Sequence, residues 1–213
     1  MNPKLSLAIP THGMDNAEFF FRKCLDSLWD QSFQDFEIVV TDNSDDNVIH
    51  DICEYYKTNI RYIRNSVKGM AQNTNEAIIQ SKGELIKILY MDDYLLHDEV
   101  LEMIVKKFKN GWLVCGSDNN SNPHWTEDIY LGNNKLGGPS TLTIENKDPL
   151  LFDESLTWLL DVSYYKELYN RYGEPIIMHG KHIGIGKGKH QMTHLISDER
   201  KLSEGEYLMK KYG

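Results

Sequence analysis

Asp92 and Asp93 stand side by side where a run of β-forming residues, Glu84 to Tyr90, gives way to polar sequence. In open α/β sheets ligands bind beyond the carboxyl ends of the strands, so this pair sits where phosphate groups and a metal ion would lie. Carboxylate oxygens are hard ligands suited to Mg²⁺ or Mn²⁺, and such an ion can bridge a protein carboxylate and a diphosphate. The same two residues also read as a turn and a cap ahead of the following helix. A second acid, Asp42, closes the run Ile38–Thr41 and is followed by Asn43 and Ser44. Its position suits acceptance of hydrogen bonds from a base or ribose, while its neighbours equally favour an Asx-turn.

Groups that could hold an anion concentrate late in the chain. The segment His179 to His190 carries Lys181, Lys187 and Lys189, and Gly180, Gly184, Gly186 and Gly188 are interleaved with them. Glycines at this density predict a flexible loop that brings Lys187, Lys189 or His190 over a diphosphate and excludes water. A solvated loop with incidental charges is the alternative. His190 and His194 have helix-compatible spacing for zinc, but no third ligand stands near them in sequence. Asp161 precedes the helical run Val162–Tyr172 and by itself reads as that helix's N-cap. Trp125, Tyr130 and Trp158 offer rings for stacking on a sugar and would serve equally as core.

These groups need a scaffold, and the chain's 213 residues, 40% apolar and 26% charged, suit one folded unit with a full core. A net charge of −9 argues against a broad electropositive face for nucleic acid, so an anionic ligand must be held locally. Cys24, Cys53 and Cys115 lack metal-ligand spacing and read as buried thiols of a reduced compartment. The apolar run Leu5–Ile9 is too short for a signal peptide, and no later stretch approaches ~18 apolar residues. A soluble, cytoplasmic protein is expected. Four β-rich runs, Leu5–Ile9, Glu37–Thr41, Ile60–Arg64 and Glu84–Tyr90, alternate with helical patterns, the form of βαβ units feeding a mainly parallel sheet. The helical stripes are Phe20, Cys24, Leu28 and Trp29, then Ile49, Cys53 and Tyr56, then Ala71–Ile79, then Val100 to Phe108. Trp112–Gly116 predicts another strand, Ser117–Gly138 surface loops with room for a hairpin, and Phe152–Tyr172 an amphipathic helix.

Taken in order, several segments carry a family likeness. Ala8-Ile9-Pro10-Thr11-His12 opens the series, and Leu25 to Ser32 leads into the Asp42 strand. Gly69 to Ala77, then Gly83-Glu84, lead to Asp92. Gly138-Pro139-Ser140, Phe152 to Asp161 and His190-Gln191-Met192-Thr193 follow. Together they resemble glycosyltransferase family 2, inverting enzymes with the Rossmann-like GT-A fold, over nearly the whole chain. The resemblance implies one α/β domain over 1–213 with a mainly parallel central sheet flanked by helices. Its nucleotide-sugar half would be 1–95, and its acceptor-side half 96–213, with a C-terminal loop and helix.

The same resemblance implies roles. Pro10, Thr11, His12, Asp42, Ser44, Lys68, Gly69, Asn73, Asp92, Lys187 and Lys189 would surround a nucleotide-sugar donor, with a UDP-sugar favoured. Gly138, Pro139, Ser140 and Trp158 would face a hydroxyl-bearing acceptor. Asp92, Asp93 and His190 would hold Mn²⁺ or Mg²⁺, and Asp161 would be the general base. One carboxylate base, with no covalent intermediate, predicts inversion at the anomeric carbon. The chain departs from the family's pattern at Tyr90, where the first Asp of an Asp-x-Asp motif is frequent, so metal binding falls chiefly on Asp92. Asn75 replaces a frequent glycine, and Leu160 the Glu that usually precedes the base. A nucleotidyltransferase would carry a glycine-rich basic loop after the first strand, whereas Pro10–Gly13 has one glycine and no Lys or Arg. A catalytically silent GT-A-like domain that binds a nucleotide sugar or a protein is opposed by the joint presence of Asp42, Asp92 and Asp161.

Overall fold

The first strand, β1 (Leu5–Thr11), is buried along its whole length, as a strand covered by helices on both faces must be. In the computed structural model, which describes residues 2–56 and 59–213, α1 (Ala17–Trp29), β2 (Phe36–Asp42), α2 (Val48–Tyr56), β3 (Ile60–Arg64), α3 (Met70–Gln80) and β4 (Leu85–Ile88) follow it. Met1, Lys57 and Thr58 lie outside the described residues. Next come β5 (Tyr94–Leu95), α4 (Val100–Lys107), β6 (Trp112–Ser117), β7 (Leu142–Glu145), α5 (Leu160–Tyr172), β8 (Ile176–Gly184), α6 (Met192–Leu195) and α7 (Asp198–Tyr212).

Eight strands form one sheet in the order β3-β2-β1-β4-β7-β6-β8-β5. The first four run parallel, β7 pairs antiparallel with both β4 and β6, and β8 is parallel to β6. Strand alternation divides the core in two. Leu5, Leu7 and Ile9 point to one face with Phe21, Leu25, Ile49 and Leu101, and Ala8 points to the other with Ala77, Ile88, Tyr165 and Leu208. Each fully buried Leu or Ile contributes roughly 1.5–3 kcal/mol. All three cysteines are buried.

Three expected boundaries shift. The run Glu84–Tyr90 pairs only over Leu85–Ile88, because Tyr90 already bends toward the Ser140 hydroxyl, to which its N–H donates at 2.8 Å. The pattern Phe152–Tyr172 is helical only from Leu160. Upstream, the N–H of Phe152 is taken by the Asn75 side chain at 2.7 Å, and those of Thr157, Trp158 and Leu159 by Glu204. The glycine-rich stretch is not one flexible loop, since Gly180 and Gly184 belong to β8. A Cβ on Gly184 would strike the Tyr94 ring, so this residue serves close packing. Only the part beyond Gly184 leaves the sheet. The polar stretch 117–138 forms bends and one short helical turn, Ile129–Leu131.

Candidate active site

The chain winds from β1 outward through β2 to β3, then returns to the other side of β1 as β4. That reversal opens a crevice beyond the carboxyl ends of β1 and β4, the place where open α/β sheets bind ligands. A cavity of about 820 Å³ occupies it. Pro10, His12 and Gly13 from the end of β1, Asn43 to Asp45 from the end of β2, and Tyr90 to Asp93 after β4 supply one side of its wall. Gly137 to Pro139, Thr157, Trp158 and Asp161 supply the other, and Ile185, Gly186 and His190 to Thr193 lie across it.

The floor is stitched by Asn73 of α3. Its amide donates to the carbonyls of Thr11 at 2.9 Å and Thr41 at 3.0 Å, which locks the ends of β1 and β2 together. Gly69, with φ of +135°, caps α3 and donates to Asn43 Oδ1 at 3.2 Å. Lys68 pairs with Asp45 at 2.7 Å and bonds the Asn43 carbonyl, which fixes the 43–45 turn as the cavity's outer rim. Ser44 lines the cavity, and its buried hydroxyl has no hydrogen-bond partner among the described residues. A ligand's polar atom would satisfy it.

Asp42 does not take the expected place. It is fully buried and absent from the wall. Oδ1 accepts from the Ser44 N–H at 2.8 Å and the Thr11 hydroxyl at 3.2 Å, and Oδ2 accepts from Tyr62 at 2.8 Å with Arg64 at 3.4 Å. The first of these bonds is the Asx-turn that its neighbours favoured. Asp42 and Thr11 therefore shape this side of the cavity from behind. Ser140 is likewise structural here, buried and bonded to Tyr90 and to the Lys87 ammonium.

Lys87 was not singled out in the sequence. It lies fully buried in β4, donating to the carbonyls of Ile88 at 2.9 Å, Leu142 at 3.2 Å and Ser140. Desolvation lowers its ammonium to about 8.

The two neighbouring acids diverge. Asp92 Oδ2 and His190 Nε2 are in hydrogen-bonding contact at 3.0 Å. Asp93 is buried and accepts from the Gly186 N–H at 2.8 Å. Burial, then the neighbouring Asp92 charge, raises it to about 7. Among the described residues no three His, Cys, Asp or Glu side chains converge on a common point. Asp92 and His190 are the side chains that could hold a cation here, while Asp93 is turned to the Gly186 N–H. One carboxylate oxygen and one imidazole nitrogen are a donor set that would suit Mn²⁺ better than Mg²⁺. His194 makes no such pair and is exposed. The His12 imidazole lies in the same field, lowered by desolvation and by His190 against the pull of Asp92.

Asp161 stands in the first turn of α5. Oδ1 accepts from the Val162 N–H at 2.8 Å, and Oδ2 from Asn134 Nδ2 at 3.0 Å. Desolvation nevertheless raises it to about 7, outweighing those bonds. Asn134 carried no sequence signal because it lies 27 residues away in a polar loop. Lys187 and Lys189 lie outside the wall, and Lys187 approaches Asp118 at 3.6 Å. Trp158 lines the cavity, whereas Trp125 stacks on Tyr169 at 4.5 Å.

A mainly parallel sheet flanked by helices, with a cavity at its switch point, defines an α/β protein of the GT-A type. The chain belongs to glycosyl transferase family 2, whose sequence pattern matches residues 6–169. It is 33% identical over 124 residues to a chondroitin synthase of Pasteurella multocida, covering 56% of this chain and 12% of that protein. It is 32% identical over 115 residues to the GalNAc(5)-diNAcBac-PP-undecaprenol beta-1,3-glucosyltransferase of Campylobacter jejuni, covering 52% of this chain and 36% of that one. The chain therefore spans only a minor part of these relatives. Its fold matches residues 1–349 of S. aureus TarS in complex with UDP-GlcNAc, with a TM-score of 0.78 at 20% identity, over 98% of this chain and 66% of that one. It also matches the mannosyltransferase PcManGT of Pyrobaculum calidifontis in complex with GDP-Man and Mn²⁺, with a TM-score of 0.70 at 15% identity, over 100% of this chain and 66% of that one. No helix among the described residues is long and apolar enough to cross a membrane.

Proposed function

We propose that this chain transfers a sugar from a nucleoside-diphosphate sugar to an acceptor hydroxyl, with inversion and with Asp161 as general base. The observation that carries this reading is that the Asp92–His190 pair and Asp161 line one cavity at the switch point of the sheet. The donor's diphosphate lies toward Asp92 and His190, and its nucleoside toward the rim formed by Pro10, Ser44, Lys68 and Asn73. A divalent cation, Mn²⁺ for preference, supplies charge neutralisation of the departing diphosphate when bound.

The acceptor enters between Gly138-Pro139 and Trp158, and its hydroxyl proton passes to an Asp161 oxygen as the new glycosidic bond forms. A carboxylate raised to about 7 by desolvation suits that task, because it accepts a proton more readily than an ordinary aspartate and is still ionised in part at neutral pH. With one carboxylate acting as base and none as nucleophile, the displacement is direct and inverts the anomeric centre. The relatives' nucleotide sugars carry UDP in one case and GDP in another. A UDP-sugar is the favoured donor here on the family resemblance.

The test is calorimetry and thermal shift of the purified protein against UDP-, GDP-, CMP- and dTDP-sugars, with and without Mn²⁺, since a ligand of the native state raises apparent stability. Metal-dependent binding of one nucleotide class is expected. Folded protein that binds none of them, or that binds one without releasing its nucleoside diphosphate, would overturn the reading in favour of a silent domain.

A further inference from the structure

The C-terminal helix α7 lies beyond residue 169, where the family match ends, yet it reaches back to the wall that bears Asp161. Glu204 of α7 is 2% exposed. Its Oε1 accepts from the Thr157 N–H at 2.9 Å, and its Oε2 from those of Trp158 and Leu159, both at 2.9 Å. Three consecutive amides just ahead of α5 thus converge on one carboxylate. They lead into the N-cap, Leu159, so the buried anion also lies at the positive end of the α5 dipole. Arg200 supports the arrangement from the solvent side, with its Nε on Glu204 Oε1 at 2.7 Å. Lys201, one position on, places its ammonium 5.7 Å from the Trp158 ring centre.

We infer that Glu204 is a positioning residue for transfer: by gripping the amides of residues 157–159 it sets the Trp158 wall and the first turn of α5, and so the aim of Asp161. This inference rests on the proposed role of Asp161. Other residues of α7 touch this wall through side chains, Lys201 over the Trp158 ring and Tyr212 on the Ser163 hydroxyl at 2.9 Å, but Glu204 alone among those contacts holds the main-chain amides of 157–159, and Tyr207 donates instead to Asp153 at 2.7 Å. A buried carboxylate that gathers three main-chain donors within one turn of the base fixes that turn's position, since losing one acceptor leaves several donors unpaired at once.

Glu204 also acts on Asp161 through charge. Burial is the main cause of the raised Asp161 carboxyl; its own N–H, the Val162 N–H and the Asn134 amide oppose it, the neutral Tyr90 and Tyr165 phenols face it, and the Glu204 anion adds a smaller rise. Removing that anion lowers the Asp161 carboxyl, so the acidic limb of the pH–rate profile should move to lower pH while the maximal rate falls.

The experiment compares Glu204→Gln with Tyr207→Phe in the full chain. Mn²⁺-dependent release of UDP from UDP-glucose and UDP-GlcNAc is followed across pH, together with amide hydrogen exchange of the peptide spanning 153–162. Glu204→Gln is expected to lower kcat about 10- to 100-fold with donor KM unchanged, to move the acidic limb downward, and to raise exchange at 157–159 at least about tenfold. Tyr207→Phe should leave kcat within about twofold, the scale of a surface change away from the site. If Glu204→Gln does not fold, Glu204→Asp, which keeps the charge and shortens the reach, must still raise exchange at 157–159. Equal kcat in wild type and Glu204→Gln, or kcat losses that track thermal stability alike in both variants, would overturn the inference. So would unchanged exchange at 157–159. Wild-type protein that binds no nucleotide sugar would instead refute the proposed function, and the exchange result would still decide whether Glu204 holds these amides.

Discussion

The most discriminating perturbation is Asp161→Asn, because the structure predicts that it damages transfer and stabilises the fold together. Burial raises the carboxyl from 3.8 to about 7. The folded state therefore binds this proton more tightly than the unfolded chain. Stability from this group is full below the unfolded value and falls as pH rises through the folded one. At about 1.4 kcal/mol per pH unit the ionised carboxylate destabilises the fold by at most about 4 kcal/mol above neutrality.

Two features of the site reduce that figure. Asp161 is half-buried, so water screens part of the charge. Asn134 cannot turn to accommodate an amide, because its Oδ1 already accepts from the N–H groups of Leu136 at 2.9 Å and Gly137 at 3.2 Å. An asparagine at 161 thus sets donor against donor or gives up a bond, at a cost of about 1 kcal/mol. A net gain of about 1–2 kcal/mol at about pH 8 remains, shrinking to zero or turning slightly unfavourable at about pH 4.

Denaturant unfolding at the two pH values reads the stability, and UDP release from a UDP-sugar reads transfer. Turnover should fall by about 10²- to 10⁴-fold, the range of a general base, with donor binding retained. Wild-type turnover in Asp161→Asn would refute the base assignment. A stability difference that does not change with pH would refute the raised carboxyl.

Further predictions concern the opposite wall. Asp92→Ala should weaken UDP-sugar binding at least about 100-fold in Mn²⁺ and abolish the difference between buffers with and without the metal, as calorimetry would show. Gly186→Ala places a Cβ against the Asp92 backbone; it should displace the loop that brings His190 to Asp92 and lower Mn²⁺-dependent donor affinity about tenfold or more, with a smaller fall in melting temperature. Lys187→Ala and Lys189→Ala remove charges that lie outside the cavity wall. Each should weaken donor binding less than about threefold if the loop stays as it is, on the scale of a screened surface charge, and losses above tenfold would establish that the loop closes over the diphosphate.

Much of the scaffold was legible in local pattern. Leu5–Ile9, Glu37–Thr41 and Ile60–Arg64 are short runs dense in Leu, Ile, Val or Tyr, and each became a parallel strand. The exits of β1 and β4 could be read as ligand-facing because ligand placement at strand ends follows from topology. Glycines misled where backbone crowding and flexibility demand the same residue, as Gly180 and Gly184 in β8 show. Helical periodicity misled over Phe152–Leu159, where side chains from α3 and α7 take the amides that a helix would have used.

What the sequence by itself determined was which groups exist and which strand end or helix start carries them: the acids at 42, 92, 93 and 161, and the donors from 179 to 190. Their division of labour was decided by tertiary structure alone. Asp42 is spent on Thr11, Ser44, Tyr62 and Arg64, Asp93 is turned to Gly186, and Asp92 is left to meet His190 across 98 residues of chain. The physical reason is that a carboxylate's chemistry is set by its solvation and by which donors reach it. Both depend on partners distant in sequence, so neither is encoded in the spacing of its neighbours.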